Sequence, residues 1–136
     1  MNRPSLIGYQ LLIGLSDSLT GALLIIAPEF TLRLMSLHAP AGALPFLSFI
    51  GAFVLSVGLA CLYGAWVVVR RKSPCKVEVV WLLTAITRAS VAIIVVTQIL
   101  AHTLETGWLT VVATDGACVL IQAIGLRKGW LANAAR

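Results

Sequence analysis

An arginine stands near the middle of an apolar run long enough to cross a bilayer. It is Arg88, within the stretch from Trp81 to Leu100. A charge at that depth costs about 2.5–3.5 kcal/mol on insertion scales, so it needs a partner. Two carboxylates elsewhere fall deep inside apolar segments, Asp17 and Asp115. An arginine carries five donors in a planar fork and can engage two carboxylates at once. The chemistry on offer is an intramembrane ion cluster. Two acids against one base leave a surplus negative charge when all three ionise, which gives the cluster a place for an exchangeable proton. Thr20 and Thr84 sit one turn from Asp17 and Arg88, and Gln122 lies seven residues past Asp115 on nearly the same helix face. These six residues are expected to form one buried polar layer. The same layer could serve only to fix helix register and hold the bundle against rotation, with no ligand.

Four elements must position these residues. The first apolar run, about 5–27, carries Asp17 among Ser16, Ser18 and Thr20 and ends at Pro28. Its length exceeds the apolar core of a signal peptide, so it is expected to be a retained span. Gly14 and Gly21 share nearly one side of it and invite close backbone approach. The second span, about 45–69, opens with Pro45 in its first turn and repeats Gly51, Gly58 and Ala65 every seven residues. That seam reads as ordinary bundle interior. The third span covers about 77–101 and the fourth about 109–126. Between the first two, the stretch 29–44 alternates apolar and charged residues until Pro40 and Gly42 interrupt it. It suits either a short interfacial helix or an ordered loop. The expected fold is all-α, a single four-helix integral membrane bundle.

Composition agrees. The chain has 136 residues, of which 60% are hydrophobic and only 11% charged, with a mean hydropathy of +0.99. A soluble domain carries about 25% charged residues. The net charge of +5 does not point to nucleic acid, because the basic residues cluster at span ends and form no stripe interleaved with aromatics. With the N-terminus inside, Arg3, Arg70, Arg71, Lys72, Lys76, Arg127, Lys128 and Arg136 all fall on the cytoplasmic side, and Arg33 falls outside. This predicts a multi-pass protein of the inner (plasma) membrane with both termini cytoplasmic. At about 1.5 Å per residue, Asp17, Arg88 and Asp115 lie about 18, 17 and 17 Å from the inner ends of their spans. Three helices thus bring their deep charges to one level.

Other residues carry less. Cys61, Cys75 and Cys118 show no metal-ligand or C-x-x-C spacing, and the two inside spans suit simple packing. His38 and His102 fall at the outer surface without a recognised metal or haem pattern, so no metal and no cofactor is expected. Trp66, Trp81, Trp108 and Trp130 stand near span ends, as an aromatic belt would. Gln98 is a candidate for a hydrogen bond between helices. No nucleotide-binding, hydrolase or metalloprotease motif occurs, and no catalytic residue is identified.

The polar, glycine-rich first helix with Gly8, Gly14 and Gly21 ending at Ala27-Pro28, the second helix with Gly51 and Gly58, and the closing 125–130 segment from Gly125 to Trp130 resemble the DoxX-like superfamily of small four-helix bacterial membrane proteins. The resemblance spans most of the chain on short motifs and carries over no catalytic residue. It implies a bacterial inner-membrane protein. Two functions stand open. One is a structural or accessory role, as a homo-oligomer or as a subunit beside a membrane protein partner in the lipid bilayer. The other is binding or transport of a small lipophilic molecule or proton through the polar layer, including a quinone-linked role. The first is the leading expectation, and it is not enzymatic.

Overall fold

The computed structural model describes residues 1–70 and 74–135. Asn2 and the prolines set most of the boundaries. The Asn2 side chain accepts a hydrogen bond from the Ser5 amide at 3.0 Å and starts α1, Arg3–Ile26. Pro28 ends that helix and opens α2, Pro28–Leu34, because the residue before a proline is driven out of the helical region. Ser36, at φ 55°, turns the chain away. A 3-10 turn over Ala41–Ala43 leads into α3, Leu44–Val69, with Pro45 in its first turn. The remaining helices are α4, Pro74–Leu100, α5, Leu109–Arg127, and α6, Trp130–Ala135. No strand occurs among the described residues.

Four of these helices are long and apolar enough to cross a membrane. Three of them contain 24, 26 and 27 residues, against the roughly 20 that a bilayer requires. The chain is therefore an all-α four-helix membrane bundle and a multi-pass protein. Its outward faces carry Leu12, Ile26, Phe46 and Leu100, each more than two-thirds exposed. Lipid tails are as apolar as these side chains, so exposing them there costs nothing. The 29–44 stretch holds most of the short helix α2 and then irregular chain with a 3-10 turn, a short helix followed by a loop. Of the basic residues at span ends, Arg71, Lys72 and Arg136 lie outside the described residues.

Small residues decide the closest packing. α1 packs most extensively on α3, and glycines from both helices meet at the crossing. A Cβ added to Gly51 would stand 2.8 Å from the Gly21 carbonyl oxygen, and one on Gly58 would stand 2.9 Å from the Gly14 carbonyl oxygen. Larger residues would force the two backbones apart. The seam Gly51, Gly58 and Ala65 is buried, as its period implied. α4 and α5 form the second close pair, and α3 links it to the first.

Each end of the bundle is closed by apolar side chains. At the end holding the N-terminus, Leu6, Val67, Val68, Val77, Trp81 and Leu131 form one cluster, with Leu126 and Trp130 against it. The short α6 supplies Leu131 to this seal. Gly129, at φ 62°, makes the break after α5 that lets it fold back. Arg3 ties the same end together by donating to the Val68 and Val69 carbonyls at 3.3 and 3.0 Å. At the opposite end, Leu32, Leu37 and Leu47 pack with Met35 and Trp108. Trp81 corrects the aromatic-belt expectation. It faces the interior and is fully buried, because its position continues the buried face of Val77, Thr84 and Arg88.

Candidate functional site

The buried face of α4 places Arg88 fourteen residues beyond the start at Pro74, about 21 Å along the helix. Asp17 lies as far from the start of α1, and Asp115 lies about 18 Å from the end of α5. The three charges meet. Arg88 Nη1 donates to Asp115 Oδ1 at 2.6 Å, and Arg88 Nη2 donates to Asp17 Oδ2. One guanidinium therefore joins three helices through two separate ion pairs. The side chains are 6% exposed for Arg88, 20% for Asp17 and 13% for Asp115, so the arginine is the enclosed member and the acids are its rim. Among the described residues, no hydrogen bond reaches the second oxygen of either carboxylate.

The expected single polar layer divides into two. Thr84 donates its hydroxyl to the Val80 carbonyl at 2.7 Å and accepts from Gln122 Nε2 at 2.9 Å. Both residues are buried, and their pair lies below the charges without bonding to them. The reason is register. Thr84 is one turn from Arg88 and Gln122 is two turns from Asp115, so their side chains meet nearer the end that holds the N-terminus. Thr20 is half-buried, and among the described residues no hydrogen bond joins it to the cluster. Gln98 also departs from expectation. It is exposed, and its Oε1 accepts from the Thr103 hydroxyl while its carbonyl accepts from the Thr103 amide, so it finishes its own helix rather than bridging to another.

Several interior residues were missed in the sequence. Gln10 is completely buried between α1 and α3, with its amide against Gly64. Tyr9 meets the Trp81 ring edge-on, with centroids 5.6 Å apart. The thiols of Cys61 and Cys118, both free and buried, lie beside Arg88, and the Tyr9 hydroxyl lies beside Cys118. These cysteines therefore face the charge cluster as well as fill space. One signal could have found the second layer. Gln10, Trp81 and Gln122 each stand seven residues from Asp17, Arg88 and Asp115 on the same three helices.

Among the described residues, no group of three or more histidine, cysteine or acidic side chains is arranged to hold a metal ion. His38 pairs with Glu105 at 3.7 Å on the surface of the end opposite the N-terminus, where His102 is also exposed. The chain has no match among protein-family models, curated proteins or solved structures.

Proposed function

We propose that the Asp17–Arg88–Asp115 cluster binds an exchangeable proton, and that the protein moves this proton, alone or with a small lipophilic molecule, through its polar interior. The observation that carries the proposal is the sharing of one enclosed guanidinium by two carboxylates from different helices. With all three groups ionised the cluster holds one net negative charge, and one proton makes it neutral. Among the described residues no donor occupies the second oxygen of either carboxylate, which supplies the place for that proton. Intramembrane ionisable side chains mark proton relays and ion pathways in many bundles. In this reading the N-terminus, the end of the bundle that carries Arg70 and Lys76, and the C-terminus face the cytoplasm of a bacterial inner membrane, and the DoxX-like resemblance of the helices is one of kinship.

A second reading is favoured by the pairing of the arginine's two terminal nitrogens. Both terminal nitrogens are engaged, as they would be in a pin that fixes helix register in an accessory subunit or homo-oligomer. Proteoliposomes with a trapped pH dye and an imposed membrane potential separate the two. Proton entry faster than in vesicles carrying the Asp17→Asn, Asp115→Asn double variant is expected. Equal rates at equal reconstituted protein would discard proton movement and leave the pin.

A further inference from the structure

Seven residues inward from the ion cluster, each of its helices places another polar side chain in the interior: Gln10 on α1, Trp81 on α4 and Gln122 on α5. All three are essentially inaccessible. Their polar atoms are poorly used. Gln10 Nε2 and Oε1, Trp81 Nε1 and Gln122 Oε1 have no hydrogen-bond partner among the described residues, and neither has Arg88 Nε in the layer above. Buried polar groups in proteins are nearly always paired with protein or ordered water. Five such atoms on the buried faces of α1, α4 and α5 call for an occupant.

The atoms define what it is. Gln10 Nε2, Trp81 Nε1 and Arg88 Nε donate, while Gln10 Oε1 and Gln122 Oε1 accept. An occupant must therefore both donate and accept. It must also be compact, because Gly64 already lies against the Gln10 amide and Gly125 against the Trp81 ring. Water meets both demands, since it occupies polar interior sites that offer two to four partners.

We infer that Gln10, Trp81 and Gln122 form a hydration layer, and that ordered waters bridge it to Arg88 and the two acids. The layers are about 10.5 Å apart along the helices. About three waters at the usual ~2.8 Å oxygen spacing span that distance, with Thr84 and the Tyr9 hydroxyl beside them. Such a file passes a proton on without moving any atom far, each water releasing one proton as it accepts another. The cluster of Leu6, Val67, Val68 and Leu131 closes the file toward the inner end. Its use as a proton path rests on the function proposed above, whereas its hydration does not.

Water-edited solid-state NMR of the full chain in bilayers tests the inference. Magnetisation should pass from water to the Trp81 indole nitrogen, assigned by its disappearance in Trp81→Phe, and to the Gln10 side-chain amide. In a Gln10→Leu, Gln122→Leu variant the transfer to Trp81 should fall several-fold. The wild-type spectrum decides even where that variant does not fold. Transfer to these nitrogens from neighbouring side chains and lipid alone, or a direct Gln10–Gln122 contact without water, would overturn the inference. A wet layer in a protein without proton flux would keep the hydration layer and sink the proton reading. A dry layer in a protein that conducts would do the reverse.

Discussion

Replacing Arg88 with leucine removes the one cation that two interior carboxylates share. Hydrogen bonds to charged groups contribute about 1.5–3 kcal/mol each, and Arg88 makes one to Asp17 and one to Asp115. Breaking a buried pair costs about 3–5 kcal/mol because the partner charge is stranded. The acids are 20% and 13% exposed and can take up protons, so a loss near 3 kcal/mol is expected. The informative perturbation is the full cycle. Asp17→Asn, Arg88→Leu and Asp115→Asn together leave no stranded charge, so the triple variant should recover most of the loss. Equilibrium unfolding in mixed micelles, followed by circular dichroism, gives the free energies. Coupling between position 88 and each acid should reach about 1.5 kcal/mol or more. Additivity within about 0.3–0.5 kcal/mol would refute the shared-guanidinium argument, because residues that do not meet behave that way.

Other perturbations test the scaffold and its orientation. Gly21→Ala places a methyl group against the backbone of Leu55 and should cost about 1–3 kcal/mol, whereas Gly8→Ala, with open space around it, should not destabilise; equal effects in thermal unfolding would contradict the α1–α3 crossing. An impermeant maleimide applied to sealed cells should label Thr106→Cys and spare Cys75, which stands at the opposite end of the bundle; labelling of Cys75 would invert the topology. In folded protein in detergent, Cys75 should react with a thiol reagent while Cys61 and Cys118 do not, and fast reaction of either buried thiol would contradict their packing beside Arg88. Removing α6 from Trp130 onward uncovers the apolar seal at the N-terminal end of the bundle and should speed hydrogen–deuterium exchange of the Trp81 indole; unchanged exchange would mean that Leu131 closes nothing.

What could be read from the chain was what bilayer physics forces into the sequence. Apolar length set the four spans to within a few residues, and the scarcity of deep charges singled out Asp17, Arg88 and Asp115. The glycine period on α3 foretold its packing face, because only small residues let two backbones approach. Uncharged polar residues were harder. Thr20, Thr84 and Gln122 were placed near the charges by counting turns, but a count cannot say which side chain reaches its neighbour. Gln10 and Trp81 carried no charge to draw attention, and an indole near a span end looks the same in sequence whether it meets lipid or the core. Gln98 was misplaced for a related reason, since Thr103, five residues on, offered its hydroxyl locally. The short α6 escaped notice because six residues hold too little of a helical period to register.

Infrared difference spectroscopy on the protein in bilayers looks at the proposed proton itself. A protonated carboxyl group absorbs apart from a carboxylate, and Asp17→Asn and Asp115→Asn assign the band. Across the pH range in which the bundle stays folded, one carboxyl band should appear and vanish with pH, and it should be lost in at least one of the two variants. A spectrum in which Asp17 and Asp115 keep the same protonation state throughout that range would contradict an exchangeable proton in the cluster and leave it a structural pin.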